Sequence, residues 1–315
     1  MSLKDKILAG DQLALSRFIR DVDDGFPETE ALLKELSLSS KEAFIIGVTG
    51  SPGSGKSSLI SKLIGAFRAD GKTVGVIAVD PTSPFSGGAI LGDRIRMTEH
   101  NADPGVFIKS VATRGAFGGL SKSVVDILRV MEASGKEIII IETVGVGQDE
   151  VDIFGMVSQV LVVTAPGQGD DIQAIKAGLT EIADCFVVNK RDLPGAAQTM
   201  MELGEAAVND ATGERKPIIL TDSIRGDGIA SLVAEIAKAI ERHSDPAIKR
   251  EQLKKRYQRE IEIKARGKIL DLLRSAFAPG GRFESLLAQV GEKKRDPYAA
   301  VAEIIAEIGR GLSEK

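Results

Sequence analysis

Between an apolar run at 43–48 and a helix-forming stretch at 58–68, the chain reads GSPGSGKS from Gly50 to Ser57. Every fixed position of the phosphate-binding pattern GxxxxGK[ST] is filled, in the strand, loop and helix order that the pattern requires. Gly50, Gly53 and Gly55 let the backbone turn so that successive N–H groups converge on phosphate oxygens, and the helix N-terminus beyond them adds partial positive charge. Lys56 is expected to reach the β- and γ-phosphates, and Ser57 to offer its hydroxyl to Mg2+. Ser51, Pro52, Ser54 and Ser58 complete the predicted loop. The stretch predicts a nucleotide-binding protein.

From residue 43 onward, short β-rich runs alternate with helical segments. That alternation predicts an α/β phosphate-loop NTPase, a mostly parallel sheet covered by helices on both faces. Strands are expected at 43–48, 73–79, 106–109, 137–141, 159–164, 185–188 and 217–220. Ligands of such sheets bind beyond the carboxyl ends of the strands, where this chain's polar and Gly-rich motifs fall.

The second strand ends at Asp80, followed by PTSPFSGGAILGDRIRM. Asp80 and Asp93 are expected in the Mg2+ and water shell, at either end of a loop that reorders around the γ-phosphate. Arg114, in the Gly-rich loop VATRGAFGGLSKS, reads as a surface residue rather than a transition-state charge. The fourth strand ends at Glu142 and continues TVGVGQDE. Glu142 stands where many GTPases carry the Asp of DxxG, with Gly145 placed to meet the γ-phosphate and Gln148 to orient the attacking water. APGQGDD after the fifth strand reads either as an ordinary connection or as a switch. Asn189, Lys190 and Asp192 form NKxD at the end of the sixth strand. A carboxylate at Asp192 accepts from N1–H and the 2-amino group of guanine, paired donors that adenine lacks, so GTP is preferred over ATP. Asp222 and Ser223 stand where GTPases often place a short loop beside the guanine.

The ends differ from the middle. Residues 1–42 read as an N-terminal helical arm, with Ile7, Leu8, Leu13, Leu15, Phe18, Ile19 and Val22 at helical spacing and a second helix near 28–38. Their apolar face is expected to cover the main domain, 43–243. Residues 244–315 read as a C-terminal helical extension, whose first helix carries a stripe of Leu253, Tyr257, Ile261, Ile269, Leu272 and Leu273. Lys+Arg 41 against Asp+Glu 45 leaves a net charge of −4, no footprint for nucleic acid. The single cysteine, Cys185, reads as a core residue and suits a reducing cytoplasm. No run is long enough to span a membrane, and the N-terminus lacks a signal-peptide core, so a cytoplasmic location is expected.

GVTGSPGSGKSS, AVDPTSPFSGGAILGDRIRM, TRGAFGGL, ETVGVGQDE, APGQGDDIQAIKAG and VVNKRDL together closely resemble the MeaB/ArgK/MMAA family of GTPases, in the SIMIBI class. The resemblance covers nearly the whole chain. It implies a Mg2+-dependent GTPase that cycles between GTP and GDP, a homodimer joined by its C-terminal extension. It also implies a chaperone that gates adenosylcobalamin loading and protects or reactivates an acyl-CoA mutase such as methylmalonyl-CoA mutase. By the same resemblance, Gly53, Gly55, Lys56 and Ser57 bind phosphates and Mg2+; Asp80, Asp93 and Glu142 surround metal and water; Asn189, Lys190 and Asp192 hold guanine. The segments 81–98, 143–156 and 166–178 match switch regions. The alternatives are an ATP-dependent kinase or transport-linked ATPase of the old ArgK type, which NKxD opposes, and a metal-delivery GTPase, for which one cysteine and two distant histidines supply few ligands.

Overall fold

Seven apolar runs become seven strands: β1 (Phe44–Gly50), β2 (Val74–Asp80), β3 (Val106–Ala112), β4 (Ile138–Glu142), β5 (Gln159–Thr164), β6 (Cys185–Val188) and β7 (Ile218–Leu220). The computed structural model describes the chain apart from residues 81–96, 98, 113–118, 144–152, 168–178, 209–212, 278–282 and 314–315, and apart from the side chains of 80, 119–122, 206, 275, 307, 308 and 310–313. The strands form one sheet in the order β3-β2-β4-β1-β5-β6-β7, every pair parallel. Thus β1 lies between β4 and β5, where the strand order reverses, the position at which open α/β sheets leave a crevice.

Strands covered on both faces need no polar side, and β4 places Ile138, Ile139, Ile140 and Ile141 in sequence, all buried. Alternate residues serve opposite cores. Ile45, Ile139 and Ile141 face one core with helix α5 (Gly119–Ala133), whereas Ile46, Val48 and Ile140 face another with α4 (Lys56–Ala69) and α7 (Ile229–His243). Helix α6 (Ala196–Ala206) joins Val162, Phe186 and Val188 in a third core. Half of the expected strand limits shift by one or two residues. β3 runs three residues past Lys109, because the β2 ladder, through Asp80 and Ala112, asks nothing apolar of the side chains there.

The N-terminal stretch forms α1 (Leu3–Leu8), α2 (Gln12–Asp23) and α3 (Thr29–Ser39). Ile7, Leu15, Phe18, Ile19, Val22, Leu33 and Leu36 enter the α5 core, so this face covers the sheet. Leu8 and Leu13, expected on that face, are exposed. The helix breaks between them: Gly10 takes φ +75°, and Asp11 starts α2 by accepting from the Ala14 N–H at 2.8 Å.

The chain divides into two compact units, Met1–Ile263 and Lys264–Lys315, and the long helix α8 (Pro246–Phe277) contributes to both. Its stripe of apolar residues does not decide what it buries. Within the first unit the packed side chains are Arg256, Glu260 and Ile263, while Tyr257 and Ile261 stay exposed. The reason lies on α5, which buries two ions of its own. Glu132 accepts from the Ala43 N–H (3.0 Å), from Arg129 (3.1 Å) and from both terminal nitrogens of Arg256 (2.9 and 2.7 Å). Arg129 also binds Glu260 and lies 4.7 Å from the Tyr257 ring centre. In the second unit, α9 (Glu284–Gly291) and α10 (Pro297–Ser313) close on a small core of Phe283, Leu286, Ala300 and Ile304. Among the described residues, no helix is long and apolar enough to cross a membrane.

Candidate nucleotide site

β1 hands the chain to α4 through the Gly-rich loop, and two glycines there are indispensable. Gly50 has φ +135°, and a Cβ on it would lie 1.8 Å from the Val163 carbonyl oxygen of β5. Gly55 has φ +93°, and its added Cβ would lie 2.4 Å from Asn189 Nδ2. Gly50→Ala is expected to cost at least about 2–3 kcal/mol, by left-handed strain and a backbone clash, and to abolish nucleotide binding. A thermal melt together with a GDP titration checks both effects.

Gly55 is the residue before α4, and no side chain caps that helix, so its N-terminal N–H groups face the loop in the manner of an anion site. Lys56 is 5% exposed and its Nζ donates to the carbonyls of Gly50 and Ser51, each at 2.9 Å. The ammonium is thereby curled into the loop. Ser51 and Ser54 are buried, Pro52 and Gly53 exposed, and Ser58 half-buried.

Parallel pairing brings Glu142 to this loop. It stands level with Val48 of β1 and Ala78 of β2, at the carboxyl end of β4. Its Oε1 accepts from Ser57 Oγ at 2.9 Å, both residues being buried. A hydroxyl and a carboxylate are the hard oxygen donors that suit Mg2+, so the pair fits that ion. Around the same strand ends, the hydroxyls of Ser54, Thr143 and Thr164 are buried without a hydrogen-bond partner among the described residues, polar atoms of the kind a polar ligand satisfies. Asp80 closes β2, two positions beyond the residue paired with Glu142. Its side chain, together with Asp93, Arg114, Gly145 and Gln148, lies outside the described residues, as do most of the three switch segments.

Asn189 ties the two halves of the site. Its Nδ2 donates to the Ser54 carbonyl at 2.9 Å, and its Oδ1 accepts from Thr221 Oγ1, from the Ser223 N–H and from Ser223 Oγ. Lys190 follows in a left-handed conformation, φ +55°, and the Arg191 N–H donates to the Thr221 carbonyl at 2.9 Å, so the turn runs along the end of β7. Asp192 is exposed. Asp222 is engaged within its own loop, where Oδ1 accepts from the N–H groups of Ile224 and Arg225 at 2.9 and 3.0 Å. The bond from Arg225 N–H leads in holding its carboxyl below the usual range. Sequence reasoning missed Thr221. Its only signal was its place between a strand end and Asp222.

Cys185 lies wholly buried in β6, and burial pushes its thiol up to about 12. A thiol reagent at pH 8 is expected to leave the folded protein unmodified and to label it fully in denaturant.

The model of the family described as methylmalonyl Co-A mutase-associated GTPase MeaB matches residues 15–278. A putative GTPase of Pyrococcus abyssi is 43% identical over 99% of this chain and 98% of its own. A mitochondrial methylmalonic aciduria type A homologue of Caenorhabditis elegans is 35% identical over 63% of this chain and 54% of its own. Among solved structures, a LAO/AO transport system kinase superposes with a TM-score of 0.69 over 98% of this chain and 96% of its own. At 22% identity that likeness shows the shared fold alone. With the family model spanning most of the chain, and the loop, the β4 carboxylate and the NKxD turn standing at the carboxyl ends of β1, β4 and β6, the chain belongs to the MeaB family and is a guanine nucleotide-binding GTPase.

Proposed function

We propose that this GTPase is a chaperone of an adenosylcobalamin-dependent acyl-CoA mutase, gating cofactor loading and protecting or reactivating the mutase through its nucleotide cycle. The match of residues 15–278 to a family described by its association with methylmalonyl-CoA mutase carries this reading. Residues 1–42 serve as an arm on a GTPase domain of 43–243, and 244–315 join two copies in a cytoplasmic homodimer. The exposed Tyr257, Ile261, Tyr298, Val301 and Ile305 are compatible with such a contact.

In the hydrolytic step, Lys56 and the N–H groups of the loop hold the phosphates and draw charge from the transferring phosphoryl group. Ser57 and Glu142, with Asp80 and Asp93, would hold Mg2+, which would supply positive charge to offset the charge of the phosphates. Gln148 or a carboxylate of this shell positions the attacking water, Gly145 meets the γ-phosphate, and Asn189, Lys190 and Asp192 hold the guanine beside Asp222 and Ser223. Intrinsic turnover is expected to be slow and to rise when the mutase is added, measured as phosphate release with and without it.

The deciding experiment is a pull-down from native extract with the protein held by a non-hydrolysable GTP analogue or by GDP. Recovery of a cobalamin-dependent mutase subunit in a nucleotide-dependent manner is expected. Recovery of a transport or kinase complex, with no mutase in either state, would overturn the role while leaving the GTPase intact.

A further inference from the structure

At the amino ends of the strands, away from the nucleotide loop, the first unit holds a cavity of about 450 Å3. Phe44 and Ile138, paired at the start of β1 and β4, line it together with Phe67 in the last turn of α4 and with Val233 and Ile240 of α7. A volume of that size with apolar walls suits a small organic molecule. One lining residue is out of keeping with the others. Lys136, in the turn between α5 and β4, is only 4% exposed, and its Nζ donates to the Gly105 carbonyl at 3.2 Å. An ammonium has three hydrogens to donate, and among the described residues this one has no other acceptor and no carboxylate within ion-pair distance. Burial, and after it the Arg68 charge, hold the ammonium below the usual lysine range. A buried cation so placed is stabilised by a carboxylate that comes to meet it.

The charges around the mouth point the same way. Lys72 pairs with Glu137 at 2.8 Å, and Lys249 with Glu42 at 3.5 Å, so both of those carboxylates are committed. Lys41 and Asp70 are exposed and, among the described residues, have no ion-pair partner. Counted with the buried Lys136, the uncommitted charge is positive, two lysines against one aspartate. We infer that this cavity binds a small organic monocarboxylate, its apolar body between Phe44, Phe67 and the α7 side chains and its carboxylate on the Lys136 ammonium. The site stands at the opposite end of β1 from Gly50, so carboxylate and nucleotide can be held at once.

The test uses the full chain with GDP bound and two probes of equal chain length, octanoate and its neutral amide. Octanoate is expected to bind at least about tenfold more tightly than octanamide, the factor that a hydrogen bond to a buried charge supplies. Lys136→Met keeps the apolar stem and removes the charge. It is expected to abolish the preference by weakening octanoate alone, whereas a purely structural role for the lysine would weaken both probes together. Ala237→Trp, which fills the cavity from α7, is expected to abolish binding of both probes while GDP affinity stays at its wild-type value. This variant serves if Lys136→Met does not fold. No binding of octanoate, equal affinity for the two probes, octanoate binding unchanged in Lys136→Met, or binding that survives Ala237→Trp overturns the inference.

Discussion

Replacing Lys56 by alanine is expected to lower GTP turnover by about a hundredfold or more, the usual consequence of removing a preorganised donor from a developing anion. Nucleotide affinity should fall with it. The fold is expected to survive, because the bonds to the Gly50 and Ser51 carbonyls, each of about 1 kcal/mol, close on the end of β1 and the loop beside it. Phosphate release, titration with GDP and a thermal melt of the same preparation separate the two effects. Unaltered hydrolysis by Lys56→Ala would show that the site assignment is wrong. A melt lowered by more than about 10 °C would show that the loop lysine is structural.

The second large effect falls on stability, away from the nucleotide. Glu132→Ala removes the acceptor shared by Arg129, Arg256 and the Ala43 N–H. Burial works against the Arg129 charge, yet its bonds to Glu260 and the charges of Glu260 and Glu132 outweigh that and hold the guanidinium above its ordinary range. Without Glu132, Arg256 keeps a buried charge that has lost both of its bonds to that carboxylate, and among the described residues its Nε has no partner either. Breaking one side of such a buried set costs about 3–5 kcal/mol, or roughly 10 °C in Tm for a unit of this size. Chemical denaturation should show it, and Glu132→Ala combined with Arg256→Ala should cost clearly less than the sum of the single changes. A loss below about 1 kcal/mol for Glu132→Ala alone would mean that the network is not what fastens α8 to α5.

The two predictions also mark where the sequence speaks and where it is silent. The phosphate loop is legible because its chemistry is local: the glycines, Lys56 and Ser57 stand within eight residues and act on one ligand group. NKxD is legible for the same reason, and the seven strands because a strand buried on both faces must be an unbroken apolar run. The network of Arg129, Glu132, Arg256 and Glu260 is not legible. Its members are more than a hundred residues apart in sequence across α5 and α8, and each looks like an ordinary charge on a helix in solvent. The apolar stripe of α8 left its partner open for a related reason, since periodicity reports which face is apolar and not which face is docked.

By itself, the sequence determined that a phosphate loop follows the first strand of a mostly parallel sheet, that guanine is the base selected, and that the chain carries the family's motifs in order. Those properties follow from residue type and short spacing, which backbone sterics and hydrogen-bond chemistry translate directly into local structure. Only the tertiary structure decided that Ser57 meets Glu142, that Asn189 is held by Thr221 and Ser223 against Ser54, and that two arginines and two glutamates are buried together. Each of those depends on strand order and helix docking. These are settled by the packing of the whole sheet, because a buried polar group is tolerable only where a distant segment arrives to satisfy it.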